Sequence, residues 1–335
     1  MLLSRAVRVT LVHSAPYPVL AYGGTERVVW WLSKALAARG VQVTLACLPG
    51  TKCDWAELTY PDFDRPIEPQ LPDTDLLHFF NTPSEPPLRP HLVTIGGNGR
   101  DGEVFSRNTV FVSQNHARRH AGQCFVHNGL DPDDYIFSEK KDGSLLFLAK
   151  ASWRVKNVAG AIRIAKKSRT PLHIVGGQRL LFKNWGGIHW EGMLGGREKA
   201  ERIAASSALL FPVLWNEPFG IAVIEAMVSG LPVLASKLGS LPELVSDDVG
   251  ILCTDERGFV EAVGEIGRFS PKTCREWVLS QFTHHHMADQ YLRLYEKVLR
   301  GEFLNAGVPV TQEAVEALYS IPFRGAAGSS PNLLA

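Results

Sequence analysis

The most informative stretch of the chain is PVLWNEPFGIAVIEAMVSGLPVLAS, residues 212–236. A strand leads into a loop that carries Glu217, and a predicted helix over residues 219–229 carries Glu225. Another apolar run follows at residues 231–235, so the stretch reads as strand, helix and strand. This order predicts an α/β domain whose parallel strands are joined by helices on the faces of the sheet.

Between the two carboxylates lies the predicted start of that helix. Free N–H groups and about half a positive charge at such an end attract phosphate, and Gly220 lets a ligand approach the backbone closely. Glu217 and Glu225 can then accept hydrogen bonds from sugar or ribose hydroxyls. The alternative is a solvated loop residue at Glu217 and a helix-surface charge at Glu225, and spacing alone leaves both open.

The alternation of short apolar runs and helical patterns continues along the chain in both directions. Strands are predicted at residues 7–12, 41–47, 75–80, 92–95, 109–112, 124–127, 145–148, 172–175 and 208–212, and helices at 25–39, 157–167, 198–206 and 287–300. Thr25 suits the N-cap of the first helix and Gly40 its end. Turn formers at residues 128–137 separate the elements into two α/β units.

Composition excludes several classes of protein. The 335 residues are 45% hydrophobic and 21% charged with a net charge of +1, which suits two globular domains and gives no sign of nucleic-acid binding. Five cysteines without a CxxC pair argue against a disulfide framework or a zinc site and fit a reducing cytosol. Arg5 and Arg8 interrupt the first apolar run, so neither a signal peptide nor a membrane span is expected there.

The segment EPFGIAVIEAMVSGLPV resembles the Glu-x7-Glu motif of the retaining glycosyltransferases of family 4, which have the GT-B fold. The resemblance extends over LGSLPELV and MADQYLRLYEKVL, to about residue 300. It implies that Glu217 faces the hydroxyls of the donor sugar and that Glu225 holds the ribose of the nucleotide. It also implies that the backbone at Phe219, Gly220 and Ile221 contacts sugar and phosphate.

A second patch, LLFLAKASWRVKNVAGAI at residues 145–162, places two ammonium groups where a strand ends and a helix begins. It resembles the family's diphosphate clamp. Lys156 fits that pattern, whereas Lys150 replaces the usual arginine, which keeps the charge and loses the bidentate geometry. Arg154 is a further donor-binding candidate. Solvated lysines flanking a loop are the alternative.

The sequence AYGGTERVV at residues 21–29 resembles the glycine loop of the family's first domain. The resemblance implies that Gly23 and Gly24 lie over the donor phosphate and border the acceptor site. Thr25, His78 and Asn98 are candidates for the acceptor side. A glycine pair is also common in plain turns, and a lone histidine at a strand end is often packed.

One departure from the family pattern bears on activity. Many relatives carry a histidine after the strand at residues 92–95, and this chain has Gly96 there. That histidine is expected to touch the donor sugar, so its absence puts full activity in doubt. His78 is a possible substitute.

Three further signals carry little weight. GNGRDG at residues 97–102 matches a dinucleotide fingerprint but leaves no room for a crossover helix before the next strand. The Asp-x-Asp strings at 62–64, 73–75 and 131–133 lie in turn-like segments, so no metal ligand is assigned. The histidines at 284–286 precede a helix and point in different directions, so they are expected to be solvated.

These patterns together predict two Rossmann-like domains with parallel sheets facing a central cleft. Residues 1–137 form the acceptor-side domain, 138–286 the nucleotide-sugar donor domain, 287–300 a helix returning to the first domain, and 301–335 an appended helix and a loose tail. The predicted function is metal-free, cofactor-free transfer of a sugar with retention, with Glu217, Lys150 and Lys156 as the catalytic candidates. A catalytically weak nucleotide-sugar-binding protein and a nucleotide-sugar epimerase are the alternatives, and an oxidoreductase rests only on the glycine string.

The expected partners follow from this function. The donor is a nucleoside-diphosphate sugar, with a UDP or GDP linkage as the expectation, and the acceptor is a saccharide, a lipid-linked sugar or a small molecule. Nucleic acid is not an expected partner. The expected location is the cytoplasm, with peripheral contact to the inner membrane face left open.

Overall fold

The computed structural model describes residues 7–19, 23–177 and 184–312, and its strands form two sheets. The first sheet has the order β3-β2-β1-β4-β5-β6, and every neighbouring pair in it is parallel. Its strands are β1 (Arg8–Val12), β2 (Gln42–Ala46), β3 (Glu57–Thr59), β4 (Leu76–Phe79), β5 (His91–Ile95) and β6 (Thr109–Phe111). The central strands are buried on both faces, as parallel sheets covered by helices require.

The second sheet has the order β13-β12-β11-β7-β8-β10-β9. Its strands are β7 (Leu145–Leu148), β8 (Leu172–Val175), β9 (Asn184–Trp185), β10 (Ile188–Gly192), β11 (Ala208–Phe211), β12 (Val233–Ser236) and β13 (Gly250–Cys253). The pairing is parallel except at the edge, where β9 runs antiparallel to β10. The two predicted Rossmann-like units are therefore present, and each parallel order needs helical crossovers.

Helices cover both sheets over the described residues. They are α1 (Gly24–Ala37), α2 (Gln114–Arg119), α3 (Val158–Ser168), α4 (Gly196–Ala205), α5 (Ile221–Val228), α6 (Leu241–Leu244), α7 (Glu256–Val263), α8 (Pro271–Gln281) and α9 (His284–Leu299). None of these helices is long and apolar enough to cross a lipid bilayer.

The last helix packs against the first half of the chain. Asp289 of α9 accepts a hydrogen bond from Arg39 just after α1. The hydroxyls of Tyr291 and Tyr295 hydrogen-bond to Thr94 and His78, at 2.8 Å each. The sequence after the second sheet therefore returns to the first sheet and ties the two halves together.

Three local predictions are wrong. Residues 124–127 form no strand, because their pairing with β6 consists of one parallel bridge between Phe111 and Phe125. Thr25 is not the N-cap of α1, since the helix begins at Gly24 and Gly23 precedes it as the cap. The histidines at 284–286 form the first turn of α9, and His284 is buried against Asp131 rather than solvated.

The periodicity analysis does not predict the elements between residues 237 and 286, which are α6, β13, α7 and α8. Residues 301–312 form a loop, and the appended helix and tail predicted beyond it lie mostly outside the described residues.

Candidate functional site

A cavity of about 400 Å³ lies between the two halves, where the strands of both sheets end. It brings together ten of the thirteen residues expected at the site. These are Gly23, Gly24, Thr25, Lys150, Lys156, Glu217, Phe219, Gly220, Ile221 and Glu225.

Glu217 follows β11 and is buried, with 6% of its surface exposed. Its Oε2 accepts hydrogen bonds from the Lys156 ammonium and from the indole N–H of Trp215, each at 2.6 Å. The same ammonium lies 4.8 Å from the centre of the Trp215 ring. A buried carboxylate is costly unless it is paired in this way, so Glu217 is not the solvated loop residue of the alternative interpretation.

Lys156 is positioned by the turn that begins α3. The turn is a short 3₁₀ helix over Arg154–Lys156, followed by Asn157 in the left-handed conformation with φ at 58°. The Asn157 side chain accepts from the Gly160 N–H and donates to the Pro212 carbonyl. This cap fixes the turn against the end of β11 and directs Lys156 toward Glu217.

Lys150 also lines the cavity, and its ammonium lies 5.2 Å from the ring centre of Trp153. Arg154, in contrast, is exposed and does not line the cavity. The prediction that Arg154 binds the donor therefore finds no support in this arrangement, because the 3₁₀ turn points Lys156 inward and leaves Arg154 on the outer surface.

Gly220 caps the N-terminus of α5 with φ at 95°, a conformation that favours glycine. The backbone from Gly220 to Ala222 borders the cavity, so the unpaired N–H groups of the helix lie at its wall. This is the helix end at which the sequence predicts that an anion binds.

Glu225 lies one turn further along α5 and is also buried. Three hydrogen bonds converge on its Oε1: from Lys199 of α4 at 2.6 Å, from the Tyr135 hydroxyl at 2.5 Å and from Arg27 of α1 at 3.2 Å. Arg27 belongs to the first half of the chain, so this ion pair spans the cleft. Glu225 is therefore not the helix-surface charge of the alternative interpretation.

The charge state of this cluster follows from its surroundings. Burial opposes ionisation of Glu225, but the Lys199 ammonium and Arg27 outweigh it and hold the pKa of the carboxyl below its usual value. Burial lowers the pKa of Lys199, an effect that the adjacent carboxylate opposes. Burial and Glu225 raise the pKa of Tyr135 well above its usual value, so its hydroxyl stays protonated and donates.

The glycine turn of the first half closes over α5. A Cβ on Gly24 would lie 3.4 Å from the Ile221 side chain, so the two halves are in close contact there. A Cβ on Gly96 would lie 3.2 Å from the Thr25 hydroxyl. A histidine at position 96 would therefore crowd Thr25, which gives a structural reason for the glycine.

Of the three acceptor-side candidates, His78 lies in the core, whereas Asn98 and Thr25 border a cavity. His78 is fully buried between the hydroxyls of Tyr295 and Thr94, and burial lowers its pKa well below the usual value, so it is a neutral core residue. The Asn98 side-chain amide bonds to other protein groups, namely the Asn216 carbonyl and Arg119, although Asn98 borders a second cavity. Thr25 lines both cavities.

Sequence reasoning missed four residues of the cavity wall, Arg27, Trp153, Lys199 and Trp215, and it missed Tyr135, which donates a hydrogen bond to Glu225. Arg27 lies three residues after Gly24 and Trp215 two residues before Glu217, so proximity to the motifs was the available signal. No sequence signal indicated Lys199 or Tyr135, because only the fold brings them to Glu225.

No group of three or more histidine, cysteine or acidic side chains suited to a metal ion occurs within residues 7–19, 23–177 and 184–312. The Asp-x-Asp strings do not line the cavity. Asp73 and Asp75 pair with Arg8, and Asp131 pairs with Lys34.

Residues 142–267 match the family model described as Glycosyl transferases group 1. The relative N-acetyl-alpha-D-glucosaminyl L-malate synthase of Bacillus anthracis is 30% identical over 118 residues, which make up 32% of this chain and 31% of that protein. This chain therefore spans about a third of the length of that relative.

Solved structures show the same fold. AviGT4, a glycosyltransferase involved in Avilamycin A biosynthesis, has a TM-score of 0.73 and 23% identity over 88% of this chain and 98% of its own. Anabaena Alr3699/HepE in complex with UDP-glucose has a TM-score of 0.60 and 13% identity over 87% of this chain and 100% of its own. The expected GT-B fold is confirmed by these likenesses.

Proposed function

We propose, from the group 1 glycosyl transferase domain at residues 142–267, that the chain transfers a sugar from a nucleoside-diphosphate sugar to a hydroxyl acceptor. The main support is the convergence of two carboxylates, two lysines and a helix N-terminus on one cavity between the halves. Such a set suits a ligand that carries both hydroxyls and phosphates.

The charge of the cavity fits a diphosphate. Its described wall contains four cations and three carboxylates, and these are Arg27, Lys150, Lys156, Lys199, Glu26, Glu217 and Glu225. The excess positive charge and the N-terminus of α5 favour an anionic group. A UDP- or GDP-linked sugar is the proposed donor, and HepE, which shares the fold, is a protein solved with UDP-glucose.

In the proposed reaction the sugar keeps its anomeric configuration. The bond between the anomeric carbon and the diphosphate oxygen breaks, and the acceptor oxygen forms its bond on the same face. The departing phosphate oxygen takes the acceptor proton, which balances the step. Lys150 and Lys156 stabilise the charge that develops on the leaving group, Glu217 orients the sugar hydroxyls, and Glu225 holds the ribose.

The acceptor is proposed to enter from a second cavity of about 690 Å³ that adjoins the first. The two cavities share Thr25, Phe80, Gly96 and Gly97. A saccharide or another polyol fits this position, because its hydroxyl would reach the anomeric carbon without crossing the donor diphosphate.

The experiment has two arms. Thermal unfolding with UDP-, GDP- and ADP-linked sugars identifies the donor, since a ligand at a hundred times its Kd stabilises by about 2.7 kcal/mol. Incubation of the stabilising donor with a saccharide panel then tests transfer, and NMR of the product gives the anomeric configuration.

Thermal stabilisation by a donor without sugar transfer would favour the alternative of a catalytically weak binding protein, which the glycine at position 96 suggests. An epimerised donor formed without acceptor would favour the epimerase. An inverted product would contradict the retaining step.

A further inference from the structure

The loop that carries Glu217 is bonded at four consecutive backbone carbonyls. The carbonyls of Glu217 and Phe219 accept from the N–H and the hydroxyl of Ser240, which belongs to the same half. The carbonyl of Asn216 accepts from the Asn98 amide at 3.1 Å, and that of Pro218 accepts from the Ser113 hydroxyl at 2.7 Å. The first half of the chain therefore donates to the carbonyls of Asn216 and Pro218, and the second half donates to those of Glu217 and Phe219.

The Asn98 amide has one possible orientation. Its Oδ1 accepts from the Arg119 guanidinium at 2.8 Å, and a guanidinium can only donate. Its Nδ2 must then donate to the Asn216 carbonyl, which can only accept. The bond across the cleft is therefore specified by chemistry and not by an arbitrary choice of rotamer.

Contacts of the neighbouring Gly99 backbone hold Asn98 in place within the first half. The N–H of Gly99 donates to Nε2 of the buried His120, whose Nδ1 lies 2.8 Å from the His116 carbonyl. This pairing requires the neutral tautomer with its proton on Nδ1. A Cβ on Gly99 would lie 2.2 Å from the Thr311 hydroxyl, so the backbone at this point is also packed against the segment after α9.

Resting on the proposed function, we infer that Asn98 is a positioning residue that aligns Glu217 across the cleft, with Ser113 as its companion. The bonds from Asn98 and Ser113 exist only while the two halves are together, because donor and acceptor lie on opposite sides. Glu217 is therefore fully oriented when the cleft is closed. Asn98 acts through the backbone of Asn216 and does not contact the acceptor.

The test replaces Asn98 by aspartate, which keeps the size and the pairing with Arg119 and removes the amide donor to the Asn216 carbonyl, so that this carbonyl keeps only the longer hydrogen bond from Arg119 at 3.5 Å. Asn98→Ala removes the amide without adding charge and serves if the aspartate variant folds poorly. Gln290→Glu makes the same amide-to-carboxylate change on the exposed side of α9 and is the matched control.

Two measurements are made on each variant. Hydrogen exchange of peptides covering residues 213–220 should be about tenfold faster in Asn98→Asp than in the parent and unchanged in Gln290→Glu. The kcat of transfer should fall about tenfold, while the KM values of donor and acceptor change less than about twofold. In a Glu217→Gln background, Asn98→Asp should lower kcat by less than about twofold, since the two residues act as a unit.

The outcomes separate the inference from the proposed function. Unchanged exchange at residues 213–220 overturns the inference whether or not the parent transfers sugar. A raised acceptor KM with unchanged kcat would make Asn98 an acceptor contact and overturn it as well. A parent that transfers no sugar would refute the proposed function alone, because the exchange measurement still reports on the loop.

Discussion

Glu217 and Glu225 reach the same cavity from one short stretch of chain, but they are held in different ways. Glu217 lies on a loop, and its carboxylate pairs with Lys156 and Trp215 of the same half. Glu225 lies inside α5, and its carboxylate pairs with Lys199 of its own half and Arg27 of the other.

The difference indicates a division of work. The helix backbone and three side-chain donors fix Glu225, so its cluster suits a constant task such as holding the nucleotide. The position of Glu217 depends on a loop whose carbonyls accept hydrogen bonds from both halves. Its cluster therefore suits the end of the cavity where the sugar is transferred. We therefore expect substitutions near Glu217 to alter turnover and substitutions near Glu225 to alter affinity.

The largest effect is expected for Lys156→Met, which keeps the apolar stem and removes the charge. The leaving diphosphate gains charge in the transition state, so a fixed ammonium is worth more there than in the ground state. Loss of such a group costs about 3–4 kcal/mol, or roughly 10²–10³ in rate. Steady-state transfer with the best donor measures it, and Lys167→Met on the exposed end of α3 is the control.

This substitution also leaves the buried Glu217 without its cation, so some stability should be lost. The double variant Lys156→Met with Glu217→Gln removes both charges and should recover thermal stability without recovering transfer. A rate for Lys156→Met within about threefold of the parent would contradict the leaving-group role.

The sequence predicts the site residues of the second half of the molecule better than those of the first. Elements there follow strong apolar runs such as LLFL in β7 and ALLF in β11, and the motif residues converge as expected. In the first half, His78 looks like a site residue because the histidine that the family pattern places at position 96 is absent. Only the return of α9, with its tyrosine hydroxyls, shows that His78 is part of the core.

Partners that come from distant parts of the chain could not be predicted. Periodicity places Lys199 on a helix and Tyr135 in a turn, but it carries no information on which strand lies beside which. Strand order brings α4 next to α5 and thereby Lys199 to Glu225. The same holds for Asn98 and Asn216, which are 118 positions apart in sequence.

The next effect in size is expected for Glu225→Gln, which keeps the shape and one acceptor oxygen. A hydrogen bond to a charged group contributes about 1.5–3 kcal/mol, so affinity for the free nucleoside diphosphate should fall roughly tenfold to a hundredfold. Calorimetric titration measures it. Alanine is less suitable here, because it would remove the buried group with which Lys199 pairs.

For Glu225→Gln, kcat at saturating donor should change much less than KM, in contrast to Lys156→Met. Unchanged nucleotide affinity would remove the ribose assignment and the division of work between the two carboxylates.

A smaller effect is expected for Arg27→Met. Lys199 remains to pair with Glu225, so the cluster stays balanced and the fold should be preserved. The cavity loses one positive charge and the ion pair across the cleft, and donor affinity should fall about threefold to tenfold. Arg39→Met is the control, since Arg39 also joins the two halves but pairs with Asp289 away from the cavity.

A double-mutant cycle of Arg27→Met and Glu225→Gln should show a coupling of about 0.5–3 kcal/mol in donor binding. Strict additivity would mean that the pair across the cleft does not contribute to donor recognition.

The smallest effect is expected from metal removal. Four cations line the cavity, and under the proposed function they would neutralise the diphosphate in place of a divalent ion. Two of the acidic strings are engaged elsewhere, since Asp73 and Asp75 pair with Arg8 and Asp131 pairs with Lys34. We therefore expect transfer in excess EDTA to stay within about twofold of the rate with magnesium or manganese.

The control is Lys156→Met under the same conditions. If a divalent ion restored that variant but did not affect the parent, the lysine would be shown to stand in for the metal. A strict metal requirement of the parent would instead mean that the lysines of one cluster do not neutralise the leaving group, and the contrast between the two carboxylates would lose its chemical basis.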